Sequence, residues 1–92
     1  MVKLPGSLKI KRRYILVENL DKNRLKIDYI KFFGYIDFLD SNIKIWKISD
    51  FFVISTNRKK LHKVLFVLYL QNSKIIKVFK TIKSIKQFLN IS

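Results

Sequence analysis

Nearly every side chain in this sequence that could act on another molecule is a cation. Twenty Lys and Arg stand against six Asp and Glu, for a net charge of +14. Groups for side-chain catalysis are few. There is no Cys, which excludes disulfides, thiolate nucleophiles and thiolate metal sites, and which fits a reducing intracellular compartment. His62 is the only histidine, close behind Lys59 and Lys60, with no second imidazole to share a metal, and it reads as a surface residue. Asp37 and Asp40 could pair for two-metal chemistry. The default role of the acids, Glu18 and Asp21 included, is to cap helix ends and solvate loops.

The sign of the charge is sorted along the chain. All six acids lie between positions 18 and 50, and both ends are purely cationic. Coding bias toward Lys would raise Glu as well, yet sixteen Lys accompany one Glu, so positive charge itself is the trait. A small domain with two unneutralised ends calls for a polyanion, and nucleic acid is the leading class. Lys9, Lys11, Arg12 and Arg13 lead into one segment; Arg58, Lys59 and Lys60 open another; Lys74, Lys77, Lys80, Lys83 and Lys86 run through the last third. Cations at a helix start oppose its dipole, so an anion is expected to dock on free backbone N–H groups near 58 and 82.

The elements that must hold these residues follow from periodicity. Ninety-two residues make one domain, 1–92, with no disordered or repeated stretch. Pro5-Gly6 marks residues 1–9 as a basic arm, and 10–92 as the folded body. No apolar run is long enough for a membrane span or a signal core, so a soluble, unprocessed protein is expected. A strand is predicted over 10–19 around Tyr14-Ile15-Leu16-Val17. Asp21 then caps a helix with Leu25, Tyr29, Phe32 and Phe33 inward and Gly34 as its stop. Residues 35–41 read as either loop or short helix. Strands follow over 42–49 and from Phe51, joined by a Ser49-Asp50 turn. Thr56 or Asn57 caps a helix with Leu61, Val64, Leu65, Leu68 and Tyr69 inward. Ile75 to Phe79 is a fourth strand, and Thr81 caps a last helix with Ile82, Ile85, Phe88 and Leu89 inward.

That order, βαββαβ plus a C-terminal helix, defines an α+β class: an RRM-like, ferredoxin-like sandwich with a four-stranded antiparallel sheet in spatial order 4-1-3-2 and both main helices on one face. In RRM domains aromatic residues of the central strands stack on bases. The third strand here, Phe51-Phe52-Val53-Ile54, lacks the glycines and basic lead of that signature, so Phe52 reads as core.

Several stretches together resemble one family. Leu4-Pro5, Leu8-Lys9 and Lys11-Arg12-Arg13-Tyr14-Ile15-Leu16-Val17-Glu18 resemble the first strand of the Pop-five/Rpp-fourteen proteins, small subunits of ribonuclease P and of its relative ribonuclease MRP. Asn57-Arg58-Lys59-Lys60 and the apolar helix to Leu70 are similar to the family's second helix, and Ile76 to Leu89 to its last strand and helix, with Thr81-Ile82-Lys83 at the junction. Phe79 and Lys80 stand where small residues are usual, Ser55 stands where a basic one is common, and the connections are short, so the chain resembles a reduced version of the family. The resemblance implies an RRM-like sandwich and a non-catalytic cofactor of an RNA enzyme. The RNA, with bound Mg²⁺, would remove the 5′ leader of precursor tRNA, and the protein itself would hold no cofactor. It implies RNA contacts from Lys9, Lys11, Arg12, Arg13, Arg58, Lys59, Lys77, Thr81, Lys83 and Lys86. The partners implied are ribonuclease P or MRP RNA and a protein subunit of the Rpp-thirty type, with precursor tRNA engaged indirectly. Tyr35, Phe38 and Trp46 are candidates for the protein interface, with ordinary core burial as the alternative. The implied location is the nucleus or nucleolus in a eukaryotic lineage, or the cytoplasm in an archaeal one. Two readings stay open beside it, a free-standing basic module of ribosomal or chromatin type and a metal-dependent nuclease.

Overall fold

Ile15, Leu16 and Val17 are consecutive and all fully buried, a pattern possible only for a strand covered on both faces. The computed structural model describes residues 11–90, so the basic arm expected over 1–9, with Lys9, lies outside the described residues. The elements run β1 (Arg12–Val17), α1 (Lys22–Phe33), α2 (Tyr35–Ser41), β2 (Lys44–Ile48), β3 (Phe51–Asn57), a 3-10 turn (Arg58–Lys60), α3 (Leu61–Leu70), β4 (Ile75–Phe79) and α4 (Ile82–Phe88). The strands form one antiparallel sheet in the order β2-β3-β1-β4, which is the spatial order 4-1-3-2 expected of the split βαβ pattern. β1 and β3 are central.

Alternation along the strands sends side chains to two separate cores. On one face Ile15, Val17 and Ile54 meet Leu25 and Tyr29 of α1 and Val64, Val67 and Leu68 of α3. On the other, Leu16, Val53 and Phe79 meet Ile85 of α4. The main helices therefore share a face, and the extra C-terminal helix lies on the opposite one. Phe52 packs against the α1/α3 core, as its reading as a core residue requires.

Local chemistry explains the helix ends. The Asp21 carboxylate accepts hydrogen bonds from the Asn23 and Arg24 N–H groups at 3.1 Å each, capping α1. Gly34, at φ 91°, ends α1 by donating its N–H to Ile30 O and starts α2 by accepting from Phe38 N. A Cβ at Gly34 would meet nothing within 4 Å, so the dihedral rather than space calls for glycine. Residues 35–41 thus resolve as helix. Asn57, rather than Thr56, caps the next element by accepting from Lys59 N, while Thr56 is buried in β3 and donates its hydroxyl to Ser41 O. Thr81 caps α4 by accepting from Ser84 N.

Four expected core positions turn out exposed. Phe32 and Phe88 are about half exposed, and Tyr69 is 77% exposed while Val67 is buried in its place. Val67 and Tyr69 lie on opposite flanks of the α3 stripe, and the sheet takes the Val67 flank. α4 is only seven residues long and seats Ile85 in the core, which leaves Ile82 partly exposed as well.

Candidate nucleic-acid interface

The register sorts the cations by position along the strands. Arg12 lies opposite Asn57 and Arg13 opposite Thr56, so the start of β1 and the end of β3 share one end of the sheet. The Arg58 N–H donates to Lys11 O at 2.8 Å and ties the 3-10 turn to that same end. Tyr14 pairs with Phe79, which brings the β4–α4 junction, with Lys80, Thr81 and Lys83, alongside. Lys44, opposite Ser55, begins β2 there too. Three segments distant in sequence thus bring Lys11, Arg12, Arg13, Arg58, Lys59 and Lys83 to one end of the molecule. The four strands contain no Asp or Glu at all.

The acids are committed elsewhere. Glu18 and Asp21 follow the end of β1 and Asp50 sits in the β2–β3 turn, all at the opposite end of the sheet. Glu18 pairs with Lys74 at 3.1 Å, and Asp28 pairs with Arg24 and accepts from Gln71 Nε2. Asp37 and the exposed Asp40 are the exceptions, lying on α2 close to the cationic end, and Asp37 is saturated with donors. Its Oδ1 accepts from the Tyr29 hydroxyl at 2.6 Å, and its Oδ2 from Lys63 Nζ at 2.6 Å and Lys60 Nζ at 3.1 Å. The hydrogen bond from Lys63, then that from Tyr29, holds the Asp37 carboxyl well below the usual carboxylate range. Burial, reinforced by Asp37, pushes the Tyr29 phenol well above its ordinary value, and the hydrogen bond to Asp37 raises Lys60. Asp40 joins at 3.6 Å from Lys60. A carboxylate so occupied clamps α1, α2 and α3 together, and among the described residues no group of three His, Cys, Asp or Glu could hold a metal ion.

This arrangement corrects the expected use of the helix start at 58. The Arg58 N–H is taken by Lys11 O and the Lys59 N–H by Asn57 Oδ1, while at the start of α4 the Thr81 hydroxyl accepts from the Ser84 N–H. At the 3-10 turn, side-chain charge rather than open N–H groups of residues 58 and 59 is what the molecule offers a phosphate. Arg58, Lys59, Lys83 and Lys86 are exposed, and Arg13 donates to the Arg12 carbonyl. Lys77 stands apart from the end cluster. It lies over the Phe79 and Phe88 rings, at 5.4 and 5.9 Å from their centroids.

Arg12 was found by its charge, but its anchoring was not. Its Nε donates to Ser55 Oγ and its Nη2 to Asn42 O, both at 2.6 Å, so the guanidinium is fixed on the sheet rather than waving in solvent. Of the candidates for a protein interface, Phe38 packs against the α1/α3 core, Trp46 is half-buried beside the α4 core, and Tyr35 is exposed. The helix layer shows an apolar surface that periodicity alone had assigned inward or left unassigned. Phe32 and Phe66 stack edge to face at 5.6 Å and are both about half exposed, and Ile36 is 80% exposed. A shallow groove lined by Phe33, His62, Lys63 and Phe66 runs beside them. Among the described residues no helix is long and apolar enough to cross a membrane. Comparison with protein-family models and with curated proteins finds no match.

Proposed function

We propose that this chain is a non-catalytic, RNA-binding subunit of a ribonuclease P or MRP ribonucleoprotein, holding the catalytic RNA by neutralising phosphates with its cationic end. The observation that carries the RNA-binding part is the convergence of Lys11, Arg12, Arg13, Arg58, Lys59 and Lys83 on one end of a sheet that contains no carboxylate. A field of one sign over several side chains suits a polyanion far better than a small anion. The resemblance supplies the particular RNA. In that register a basic residue is common where Ser55 stands, and here the Arg12 guanidinium rests on the Ser55 hydroxyl, placing positive charge at that point from the neighbouring strand. The chemistry of leader removal would belong to the RNA and its Mg²⁺. The exposed Phe32, Phe66 and Ile36 surface suits a protein partner, for which the Rpp-thirty type is the proposal.

Affinity purification of the tagged chain tests this directly. Recovery of one large structured RNA with precursor-tRNA cleavage activity and a protein partner is the expected result. Heterogeneous nucleic acid would favour a free-standing basic module. The recombinant protein without RNA should leave precursor tRNA intact, and EDTA-sensitive cleavage lost in Asp37→Ala/Asp40→Ala would overturn the non-catalytic assignment.

A further inference from the structure

The sheet face that carries α4 is only partly covered. Its side chains form rows across the strands, Phe79–Tyr14–Ser55–Lys44 and Lys77–Leu16–Val53–Trp46. α4 seats Ile85 against Leu16, Val53 and Phe79. Tyr14 and Trp46, across the buried Ser55 and Val53 from one another, pack edge to face with ring centroids 6.2 Å apart and planes at 71°. Both remain half-buried rather than sealed, and neither the Tyr14 hydroxyl nor the Trp46 indole N–H makes a hydrogen bond among the described residues. Arg12 is pinned beside them by Ser55 and Asn42, with further N–H donors of its guanidinium unused, and Lys44 is exposed at the edge.

We infer that this corner, Tyr14 and Trp46 flanked by Arg12 and Lys44, seats an unpaired nucleotide of the bound RNA. The inference rests on the RNA-binding reading above and names what one part of the surface recognises. Aromatic rings with a pinned Arg12 and an exposed Lys44 beside them match a base for stacking and a phosphate for pairing, the combination that single-strand binding surfaces use. A duplex hides its base faces inside the stack, so it could use the cations but not the rings. Charge selects against an acidic-poor apolar protein segment as occupant, because the four strands place Arg12, Lys44 and Lys77 on this face with no carboxylate to offset them. Phosphate neutralisation at the end of the sheet needs neither ring, so the seat adds a second mode of contact to the first.

Trp46 is the only tryptophan, so indole emission reports on this corner alone. The full chain would be titrated with single-stranded oligoadenylate of about eight nucleotides, sized to the short site of a stacking surface, and with an RNA duplex of equal length. Expected are quenching of Trp46 by oligoadenylate and little by duplex. Tyr14→Leu, which keeps an apolar side chain and removes the ring, should weaken oligoadenylate binding by about 5- to 100-fold at unchanged salt dependence. Lys44→Ala, at an exposed position, should weaken it less while keeping the quench. Quenching in the wild-type chain needs no variant and stands even if Tyr14→Leu fails to fold. Oligoadenylate binding without any change in Trp46 emission would overturn the seat and leave phosphate binding intact, as would equal quenching by duplex. Failure of every RNA to bind, structured RNA included, would remove the RNA-binding reading itself.

Discussion

Replacing Arg58 and Lys59 together by Ala isolates the cationic end from the rest of the charge. Both side chains are exposed and neither makes an ion pair or side-chain hydrogen bond among the described residues, while the backbone bonds of the turn, Arg58 N–H to Lys11 O and Lys59 N–H to Asn57 Oδ1, survive in Ala. Stability should therefore stay within about 0.5 kcal/mol of wild type, as for surface sites without a special contact. Each phosphate contact contributes about 0.7–0.9 to the slope of log affinity against log salt. Losing two lowers the magnitude of the slope by about 1.4–1.8, so wild type should lose about 7- to 12-fold more affinity than the variant between about 50 and 200 mM salt. The control is Lys22→Ala/Lys47→Ala, which removes the same charge at the opposite end, where Lys47 faces Phe52 and α1 begins. Binding of both variants to the same structured RNA would be followed across salt, with thermal unfolding run in parallel. Equal slopes for the two, with both folded, would refute the reasoning, because they would make the charge a delocalised atmosphere rather than an oriented surface.

Other expectations concern the frame. Leu68→Ala, fully buried, should cost about 2–5 kcal/mol in denaturant unfolding, whereas Leu65→Ala, on the half-buried flank, should cost less and Tyr69→Ala almost nothing; a reversed order would place the core on the wrong side of α3. Gly34→Ala should destabilise by about 1–3 kcal/mol from its backbone alone, and Gly34→Asn by a similar amount, since φ 91° with ψ 160° lies outside the left-handed helical region that Asn tolerates. Because the Asp37 carboxyl sits below its unfolded value, its contribution is present above the unfolded pKa and is lost as pH falls below that value toward the folded one. Asp37→Asn should therefore be less stable than wild type at neutral pH and should flatten the acid side of the stability profile; an unchanged acid limb would mean the Tyr29, Lys60 and Lys63 clamp adds nothing.

The order of elements was legible because each depends on neighbours in sequence: the apolar run of β1, the Asp21 and Thr81 caps, and the Gly34 stop. The helix over 35–41 was not, since its outward residues, Tyr35, Ile36 and Leu39, are as apolar as its inward Phe38 and leave no stripe to read. Pairings across the fold were equally hidden. Arg12 finds Ser55 at a separation of 43 residues, and Asp37 takes up Lys60 and Lys63 from 23 and 26 residues away. The split of acids from cations along the chain was visible, but its conversion into opposite ends of a sheet required the register. The Arg58 N–H looked open because the carbonyl that closes it, that of Lys11 just before β1, is distant in sequence.

The unshared charge at one end also bears on how much of this protein a cell can hold. Like charges packed on a rigid sheet repel, and that repulsion raises the free energy of the folded chain whenever no polyanion is present. A ligand at about one hundred times its dissociation constant returns about 2.7 kcal/mol, a sizeable share of a small domain's stability. If RNA is the ligand as proposed, copies made in excess of it would be the ones that open most often and meet proteases first. Abundance would follow the supply of RNA without a dedicated regulator, the assembly setting its own stoichiometry by discarding orphans.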